Sequence, residues 1–534
     1  MFKQILFAGL LIIDGYSQVT LHQIEQRPAG RAKNFLIWQY FSQNITPKEA
    51  DEAFYQIDNV DMKLFYAYAQ KTNRSEVIFT AECLKSSDLM KLEGDCLEMA
   101  YTPFKSMPLT NEQRQAIVQK VSSASIKEML MIQNEPNTIE AYSLYKPNTF
   151  LTFFLNAPAT YRSERLNIYY PQEFLENLKN SWQISTFIGQ VVANETLDKI
   201  QRSLLKISSD ALNPQTLFYL ALNHLRYGNK KEAMDLLEIA NEKSKSIAEN
   251  DRNHFWMYQI SRDSRYLRKL QLSMDINIYT LYASEILESP LQNYFTSVEI
   301  NNGANTKDLT DPFEWSEILA EIQKTPKEKL FELAKLYSSR EMVPVQTMII
   351  QRAYGYKMHG YVMPYSEYLT SLNRDDQALF YAIMRQESNF VPSALSRSFA
   401  LGLMQLMPFV VDAINKNAQE KIETYEEMFI PQKNIEYAIK HISWMKTVLS
   451  HPLFMAYAYN GGMGFLKRHL ATGYFENAEY EPFLSMELMQ NSESREYGKK
   501  VLANYVMYKK ILGEQVSIVD LFDKLKDSTS LCRF

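Results

Sequence analysis

The chain has 534 residues, 46% of them hydrophobic and 13% aromatic, and this composition excludes an intrinsically disordered protein. Its length exceeds what one compact core usually holds, so several domains' worth of material is expected. The formal net charge is −5 and no dense basic stripe occurs, which excludes binding to nucleic acid by phosphate neutralisation. The chain has only 16 glycines, well below the usual share of about 7%, and this scarcity predicts a mainly α-helical fold.

The first segment has the pattern of an export signal. One lysine precedes an apolar run over residues 5–13, and the small residues Gly15 and Ser17 follow. The run is much shorter than the about 20 residues that a membrane span needs. We interpret residues 1–17 as a signal peptide, with the mature protein beginning near Gln18 in the periplasm. The alternatives are a buried N-terminal helix and an uncleaved anchor.

Amphipathic helices joined by short turns are predicted from about residue 30 to 370. Thr46 and Glu49 form a capping-box pattern around Pro47, which predicts a helix start. Residues 216–240 are predicted to form a helical hairpin of the size of a tetratricopeptide unit, with its turn at residues 227–229. Because this spacing does not repeat strictly, we predict irregular helix pairs stacked as a solenoid over residues 18–370.

Two further features belong to this region. Residues 265–287, rich in Tyr and Leu, are predicted to form one long helix. Cys83 and Cys96 either form a disulfide, which an exported compartment permits, or remain free thiols in separate helices. The third cysteine is Cys532, and the seven histidines are scattered without a metal-binding motif. We therefore predict no metal and no cofactor.

The sequence changes character after Met363-Pro364, where the remaining glycines gather in short motifs, and we place a domain boundary near residue 370. In the helix predicted next, with Asp375 or Asp376 as its cap, Glu387 shares the apolar face. Burial and the negative end of the helix dipole both disfavour a charged carboxyl and raise its pKa. A general acid needs this property. The plainer interpretations are a solvated carboxylate and an ion pair with Arg385.

Several short motifs follow in order after this helix. They are ESNF at 387–390, Ala394 and Ser396, GLMQLMP at 402–408, Asn434-Ile435, AYNGG at 458–462 and ESREY at 493–497. This set resembles the soluble lytic transglycosylase family, whose pattern is E-S-x-F, A-x-S, G-L-M-Q-L-M-P, A-Y-N-x-G and E-T-R-x-Y. The resemblance implies a goose-lysozyme-like, mostly helical catalytic domain over residues 371–534, preceded by an α-superhelical domain.

The resemblance also implies roles for individual residues. Glu387 would be the catalytic acid and base. Seven residues would bind substrate: Ser396, Met404 and Gln405 at the sugar subsites, Tyr459 and Asn460 at the reacting centre, and Glu493 and Tyr497 where the site closes. Each of these seven has a plainer interpretation as a packing, capping or surface residue.

The implied reaction is lytic cleavage of peptidoglycan glycan strands between N-acetylmuramic acid and N-acetylglucosamine. One carboxyl suffices if the 2-acetamido group of the substrate assists and the muramic 6-hydroxyl attacks C1, forming a 1,6-anhydro end. The alternatives are a goose-type lysozyme that hydrolyses the same bond, and a non-catalytic peptidoglycan-binding scaffold. We expect a periplasmic monomer, associated with the cell wall or outer membrane and recruited by cell-wall synthesis, division or secretion complexes.

The chain departs from the family pattern at several positions. Phe399 stands where the family usually has Gly, and Val410-Val411 replaces Thr-Ala. Gly461 and Met463 replace the common Ala and Pro, and Ser494 replaces Thr. The change at Phe399 predicts a narrower subsite and so affects specificity, whereas none of the changes alters the predicted acid.

Overall fold

The computed structural model describes residues 18–301, 307–418, 420–476 and 478–533. Within these ranges the regular structure is helical apart from two short parallel strands, Tyr294–Phe295 and His359–Gly360, which pair residue for residue. The prediction of a mainly α fold is confirmed. None of the helices in these ranges has both the length and the apolar character that a membrane crossing requires. The predicted signal peptide lies outside the described residues.

The described residues form two compact units. The first comprises residues 45–51 and 61–262, and the second comprises residues 18–44, 52–60 and 263–533. The second unit therefore contains a segment near the N-terminus together with the whole C-terminal half of the chain. The predicted boundary near residue 370 and the predicted solenoid remain predictions.

The first unit consists of α-helices of 3 to 15 residues. Its helices, including one shared with the second unit, are Pro47–Phe54, Met62–Ala69, Ser75–Lys85, Gly94–Ala100, Pro103–Ser106, Asn111–Lys120, Ala124–Ile132, Ile139–Tyr142, Pro147–Asn156, Ala159–Tyr161, Gln172–Leu178, Ile184–Val192, Asp198–Leu204, Pro214–Arg226, Lys230–Lys243 and Ile247–Ser261.

Two predicted features of the first unit are confirmed. The backbone N–H of Thr46 donates to Glu49 Oε2 at 2.7 Å, and the N–H of Glu49 donates to Thr46 Oγ1 at 3.3 Å, which completes the capping box. The hairpin is formed by Pro214–Arg226 and Lys230–Lys243, with Ala233 and Ala240 fully buried. Small side chains at these positions allow the helices to approach closely.

The structure decides between the two alternatives for the cysteines. Cys83 and Cys96 form a disulfide with a Cα–Cα distance of 5.1 Å. It joins helix Ser75–Lys85 to helix Gly94–Ala100. The third cysteine, Cys532, is a partly buried free thiol.

The α-helices of the second unit range from 5 to 20 residues. They are Leu21–Glu25, Arg31–Ser42, Ser264–Gln271, Ile278–Ile286, Pro312–Lys324, Leu330–Leu336, Val343–Ala353, Arg374–Ser388, Pro408–Asn415, Pro431–Lys446, Pro452–Gly461, Met463–Leu470, Phe483–Leu488, Ser492–Ile511 and Ile518–Leu525.

The prediction of one long helix over residues 265–287 is wrong. The helix ends at Gln271 and a new one begins at Ile278. Asn277 caps the second helix, because its side chain accepts from the N–H groups of Tyr279 and Thr280. Short polar side chains compete for backbone hydrogen bonds in this way, and the apolar periodicity does not reveal the interruption.

Three helices form the centre of the second unit. Helices Arg374–Ser388 and Pro452–Gly461 both pack against Ser492–Ile511. A side chain at Gly498 would lie closer than 3.0 Å to the ring of Tyr457, so glycine is required for this close approach. This packing brings the ends of the three helices, which carry the predicted site residues, to one place.

Candidate active site

Glu387 lies in the last turn of helix Arg374–Ser388. The helix begins at an Asn373 cap, whose side chain accepts from the N–H of Asp376 at 2.9 Å. The expectation that Asp375 or Asp376 provides the cap was wrong, since both lie in the first turn. Asn389 ends the helix in the left-handed conformation, with φ of 49°. The carboxyl therefore faces the unfavourable end of the helix dipole, as predicted.

The environment of Glu387 favours the protonated carboxyl. Burial raises the pKa of this group to about 7, and the negative charge of Glu493 adds to the rise. The hydroxyl of Tyr497 donates to Glu387 Oε1 at 2.7 Å and opposes the rise by stabilising the carboxylate. A carboxyl with a pKa near 7 can both give and take a proton at neutral pH.

Arg385 does not form the ion pair that the plainer interpretation of Glu387 required. Its Nε donates to the carbonyl of Gly360 at 3.0 Å, and its Nη1 donates to Asn504 Oδ1 at 2.9 Å. Its guanidinium also lies 4.3 Å from the ring centre of Tyr361. Arg385 therefore bonds to Gly360 and Asn504 and not to Glu387.

Two tyrosines surround the carboxyl in different ways. Tyr497 bonds to Glu387 directly, whereas the hydroxyl of Tyr459 donates to the carbonyl oxygen of Met404 at 2.6 Å. Burial, and then the charge of Glu387, raise the pKa of both phenols well above the usual value. Both tyrosines therefore remain neutral hydrogen-bond donors beside the carboxyl.

Asn460 and Glu493 belong to a polar network at the ends of two helices. Asn460 Nδ2 donates to Glu493 Oε1 at 3.3 Å, and Ser494 Oγ donates to Asn460 Oδ1 at 2.7 Å. Ser494, one of the departures from the family pattern, thus retains a hydroxyl that orients Asn460. Glu493 is exposed.

Ser396 and Gln405 support the conformation of their own loop, residues 394–406. Ser396 Oγ accepts from the N–H of Ala400 at 2.9 Å. Gln405 Nε2 donates to the carbonyls of Ala394 at 2.9 Å and Gly402 at 2.8 Å. Both amide protons of Gln405 therefore act within the protein and not towards an N-acetyl group.

Met404 is completely buried, so its side chain belongs to the packing beneath this loop. Its N–H donates to Asn434 Oδ1 at 2.9 Å, and Asn434 Nδ2 donates to the carbonyls of Leu401 at 3.0 Å and Met428 at 2.8 Å. Sequence reasoning assigned Asn434 no role. A polar residue in the apolar stripe of helix Pro431–Lys446 was the available signal.

The structure thus brings the eight predicted residues into two linked groups. One group contains Glu387, Tyr497, Asn460 and Glu493 at the helix ends, and the other is the loop that carries Ser396, Met404 and Gln405. The bond from Tyr459 to Met404 joins them. The carboxylate of Asp412, on helix Pro408–Asn415, accepts a hydrogen bond from the hydroxyl of Tyr425 at 2.8 Å.

The chain is similar to known proteins in its sequence. Residues 364–481 match the model of the transglycosylase SLT domain. A putative soluble lytic murein transglycosylase of Haemophilus influenzae is 23% identical over 487 residues, which cover 80% of this chain and 79% of the relative.

Solved structures resemble the fold as well. Lytic transglycosylase Slt from Pseudomonas aeruginosa matches with a TM-score of 0.50 and 15% identity, over 91% of this chain and 74% of that one. A 70-kDa soluble lytic transglycosylase in complex with bulgecin A matches with a TM-score of 0.50 and 14% identity, over 96% and 91% of the two chains. At these identities the structural likeness supports the fold alone.

Proposed function

We infer that this chain, which belongs to the soluble lytic transglycosylase family, cleaves peptidoglycan glycan strands between N-acetylmuramic acid and N-acetylglucosamine. The observation that carries the proposal is Glu387, a carboxyl with a pKa of about 7 that is bonded to Tyr497 within the transglycosylase domain. One group that is poised between its two protonation states fits a reaction in which the same group serves first as acid and then as base.

In the first step, protonated Glu387 gives its proton to the glycosidic oxygen, and the bond from C1 to that oxygen breaks. The N-acetylglucosamine portion leaves as an alcohol, and the 2-acetamido group of the muramic residue stabilises the positive charge at C1. Tyr497 stabilises the carboxylate that forms, because a hydrogen bond to a charged acceptor is stronger than one to a neutral acceptor.

In the second step, the Glu387 carboxylate removes the proton of the muramic 6-hydroxyl as that oxygen attacks C1. A 1,6-anhydro ring results, and Glu387 regains its proton. An intramolecular hydroxyl has a high effective concentration relative to water, so ring closure competes well with hydrolysis. Delivery of water to C1 would make the chain a lysozyme-type hydrolase instead. A non-catalytic scaffold would have no need for a carboxyl with this pKa.

Glu387→Gln tests the proposal, because it keeps the shape of the side chain but cannot supply a proton. Loss of general acid catalysis typically reduces the rate by about 10²–10⁴-fold, and we expect the upper end because the base is lost as well. Product release from purified peptidoglycan should fall accordingly, while sedimentation with the same material persists. Anhydromuropeptides released at near the wild-type rate would refute the assignment to Glu387, and Glu493 would then be tested.

We also propose that the protein acts after export, with residues 1–17 as its signal peptide and the periplasm as its location. This location matches the substrate. The amino terminus of the protein in a periplasmic fraction should begin near Gln18. Intact protein beginning at Met1 and found in the cytosol alone would contradict export. Recruitment by cell-wall synthesis, division or secretion complexes, a monomeric state and a solenoid that guides glycan strands remain proposals from the family resemblance.

A further inference from the structure

An aromatic cluster joins an N-terminal helix to the transglycosylase domain within the second unit. Phe35 and Trp38, from helix Arg31–Ser42, have ring centres 5.3 and 5.6 Å from that of Phe399. Tyr425 completes the cluster, 6.3 Å from Phe35 and 6.1 Å from Trp38. Phe35 and Phe399 are almost completely buried. We call these four residues the Phe399 cluster.

The same face of the helix makes two hydrogen bonds that flank the cluster. Arg31 Nη1 donates to the carbonyl of Leu395 at 2.8 Å, and Gln39 Nε2 donates to Glu426 Oε1 at 2.8 Å. Arg31, Phe35 and Gln39 follow one another at intervals of four residues, so they lie in one row along the helix. This row therefore contacts both the loop over residues 394–406 and the neighbouring segment Tyr425–Phe429.

Phe399 occupies a backbone position that suits glycine. Its φ is +63°, which is unfavourable for a residue with a β-carbon. The turn that holds it is closed by the N–H of Phe399, which donates to the carbonyl of Ser396 at 3.0 Å. The contacts of the ring with Phe35 and Trp38 must compensate for the unfavourable backbone. Glycine would adopt this φ without strain. Phe399 instead supplies a ring that contacts the N-terminal helix.

This attachment lies close to the predicted substrate-binding residues. Phe399 is three residues after Ser396, and the loop continues through the paired residues Leu401 and Leu406, whose backbones exchange hydrogen bonds of 2.9 and 3.1 Å. Met404 lies between Leu401 and Leu406 in the sequence, and its carbonyl accepts a hydrogen bond from the hydroxyl of Tyr459. A shift of the loop at Phe399 would therefore be passed on to both Ser396 and Tyr459.

We propose that helix Arg31–Ser42 positions the loop over residues 394–406 through the Phe399 cluster, and that this helix thereby sets the affinity for glycan strands. Phe35, Trp38 and Phe399 are positioning residues in this proposal, and none of them needs to touch the reacting atoms. The part concerning affinity rests on the proposed function, whereas the part concerning the loop does not. The domain that carries the acid would then be complete only with a helix from the opposite end of the chain.

Phe35→Ala in the full-length chain tests both parts. Amide hydrogen exchange of peptides covering residues 394–406 should become about tenfold faster, because removal of the ring leaves a cavity behind Phe399. KM for purified glycan strands should rise several-fold while kcat changes less than about twofold, since Glu387 and Tyr497 keep their contact. The pH dependence of the rate should be unchanged. Phe35→Leu, which fills most of the space, should restore much of the wild-type KM.

Phe522→Ala is the matched control. Phe522 is also buried and packs 5.0 Å from Phe483 in a separate aromatic cluster of the same unit. Its loss should reduce stability without a selective effect on residues 394–406. The proposal is overturned if Phe35→Ala leaves the exchange of the loop unchanged, or if Phe522→Ala accelerates it equally. If the wild type releases no product from glycan strands, the proposed function fails, and the exchange data still decide whether the helix positions the loop.

Discussion

At the scale of single residues, the proposed chemistry depends on the balance between the protonated and the charged form of the Glu387 carboxyl. Burial and the charge of Glu493 favour the neutral acid, and the hydroxyl of Tyr497 favours the carboxylate. Arg385, the cation nearest to Glu387 in the sequence, donates hydrogen bonds to Gly360 and Asn504 instead. The balance therefore depends on a neutral donor, and a change of that donor should be visible in the pH dependence of the reaction.

Tyr497→Phe removes the hydrogen bond that stabilises the Glu387 carboxylate. The pKa of Glu387 should therefore rise further above 7. If protonated Glu387 is the active form, the alkaline limb of kcat/KM should move to higher pH, while the maximal rate falls about tenfold through the loss of the bond to the developing carboxylate. Tyr459→Phe is the control, because its hydroxyl donates to Met404 and its loss should leave the limb in place. A limb that moves to lower pH in Tyr497→Phe would contradict this account.

The same pKa predicts how Glu387 affects stability. The folded pKa of about 7 exceeds the reference value of 4.5, so the folded state loses stability as the pH rises from about 4.5 to 7. Glu387→Gln removes this loss, and above pH 7 it should stabilise the protein by roughly 1–3 kcal/mol, a range reduced for the partial exposure of the carboxyl. Thermal unfolding midpoints of the two proteins should coincide near pH 4 and diverge towards pH 8. Equal midpoints at both pH values would exclude a buried, charge-disfavouring site.

At the scale of structural elements, the loop over residues 394–406 is held from two sides. Asn434 bonds to it from helix Pro431–Lys446, and the Phe399 cluster contacts it from helix Arg31–Ser42. Its glycine has no room for a side chain, since a β-carbon at Gly402 would lie closer than 3.0 Å to the carbonyl of Met428 and to Asn434 Nδ2. This lack of space explains why the G-L-M-Q motif begins with glycine.

Gly402→Ala and Gly462→Ala separate the effects of space and backbone conformation. Both glycines have positive φ, 72° and 87°, but a β-carbon at Gly462 would meet nothing within 4 Å. Gly462 has ψ of 150°, a backbone region that residues with a β-carbon rarely adopt, so Gly462→Ala should cost about 1–3 kcal/mol for the backbone alone. Gly402→Ala should cost at least about 2 kcal/mol more, because Asn434 must move and its buried partners lose their hydrogen bonds. The free energy of unfolding, obtained from denaturant titration, measures the difference. Equal costs would show that the space around Gly402 is not limiting.

At the scale of the whole molecule, the second unit is built from segments that are far apart in the sequence. Helix Ile278–Ile286 contributes Tyr279, whose hydroxyl donates to the buried Glu487, and Glu285, which accepts from the N–H of Ile518 at 2.8 Å. Lys499, on the helix that carries Tyr497, forms an ion pair of 3.1 Å with Glu487. A fragment that begins near residue 370 would keep this ion pair, but it would lack the contacts of Tyr279 and Glu285 and also helix Arg31–Ser42.

The disulfide of the first unit should have a separate effect. It closes a loop with a sequence separation of 13 residues, and such a crosslink typically stabilises by about 2–4 kcal/mol. A reducing agent should lower the thermal midpoint of the wild type but not that of a Cys83→Ser, Cys96→Ser variant. Cys532→Ser is the control and should retain the full response. Activity on glycan strands at low temperature should persist in the reduced protein, since Cys83 and Cys96 lie in the first unit and Glu387 in the second. A wild-type midpoint that is insensitive to reduction would contradict a stabilising role.

The sequence by itself determined the helical class, the helix start at Thr46 and the position of Glu387 at a helix end. These features depend on neighbouring residues: Thr46 and Glu49 are three apart, and the apolar face around Glu387 follows from a period of 3.6 residues. The resemblance that the ordered motifs carry also indicated residues that lie close together in the structure, among them Glu387 and Tyr497.

Only the tertiary structure decided which contacts these residues make with one another. Periodicity shows which face of a helix is apolar but not which element covers it, so the role of Asn434, the direction of Arg385 and the loop bonds of Gln405 were not predictable. The contact of Arg31 with Leu395 spans 364 residues and that of Gln39 with Glu426 spans 387. Such pairs form because burial of the Phe399 cluster is favourable in the folded chain. The residues next to Arg31 or Gln39 in the sequence do not indicate which distant residue each one contacts.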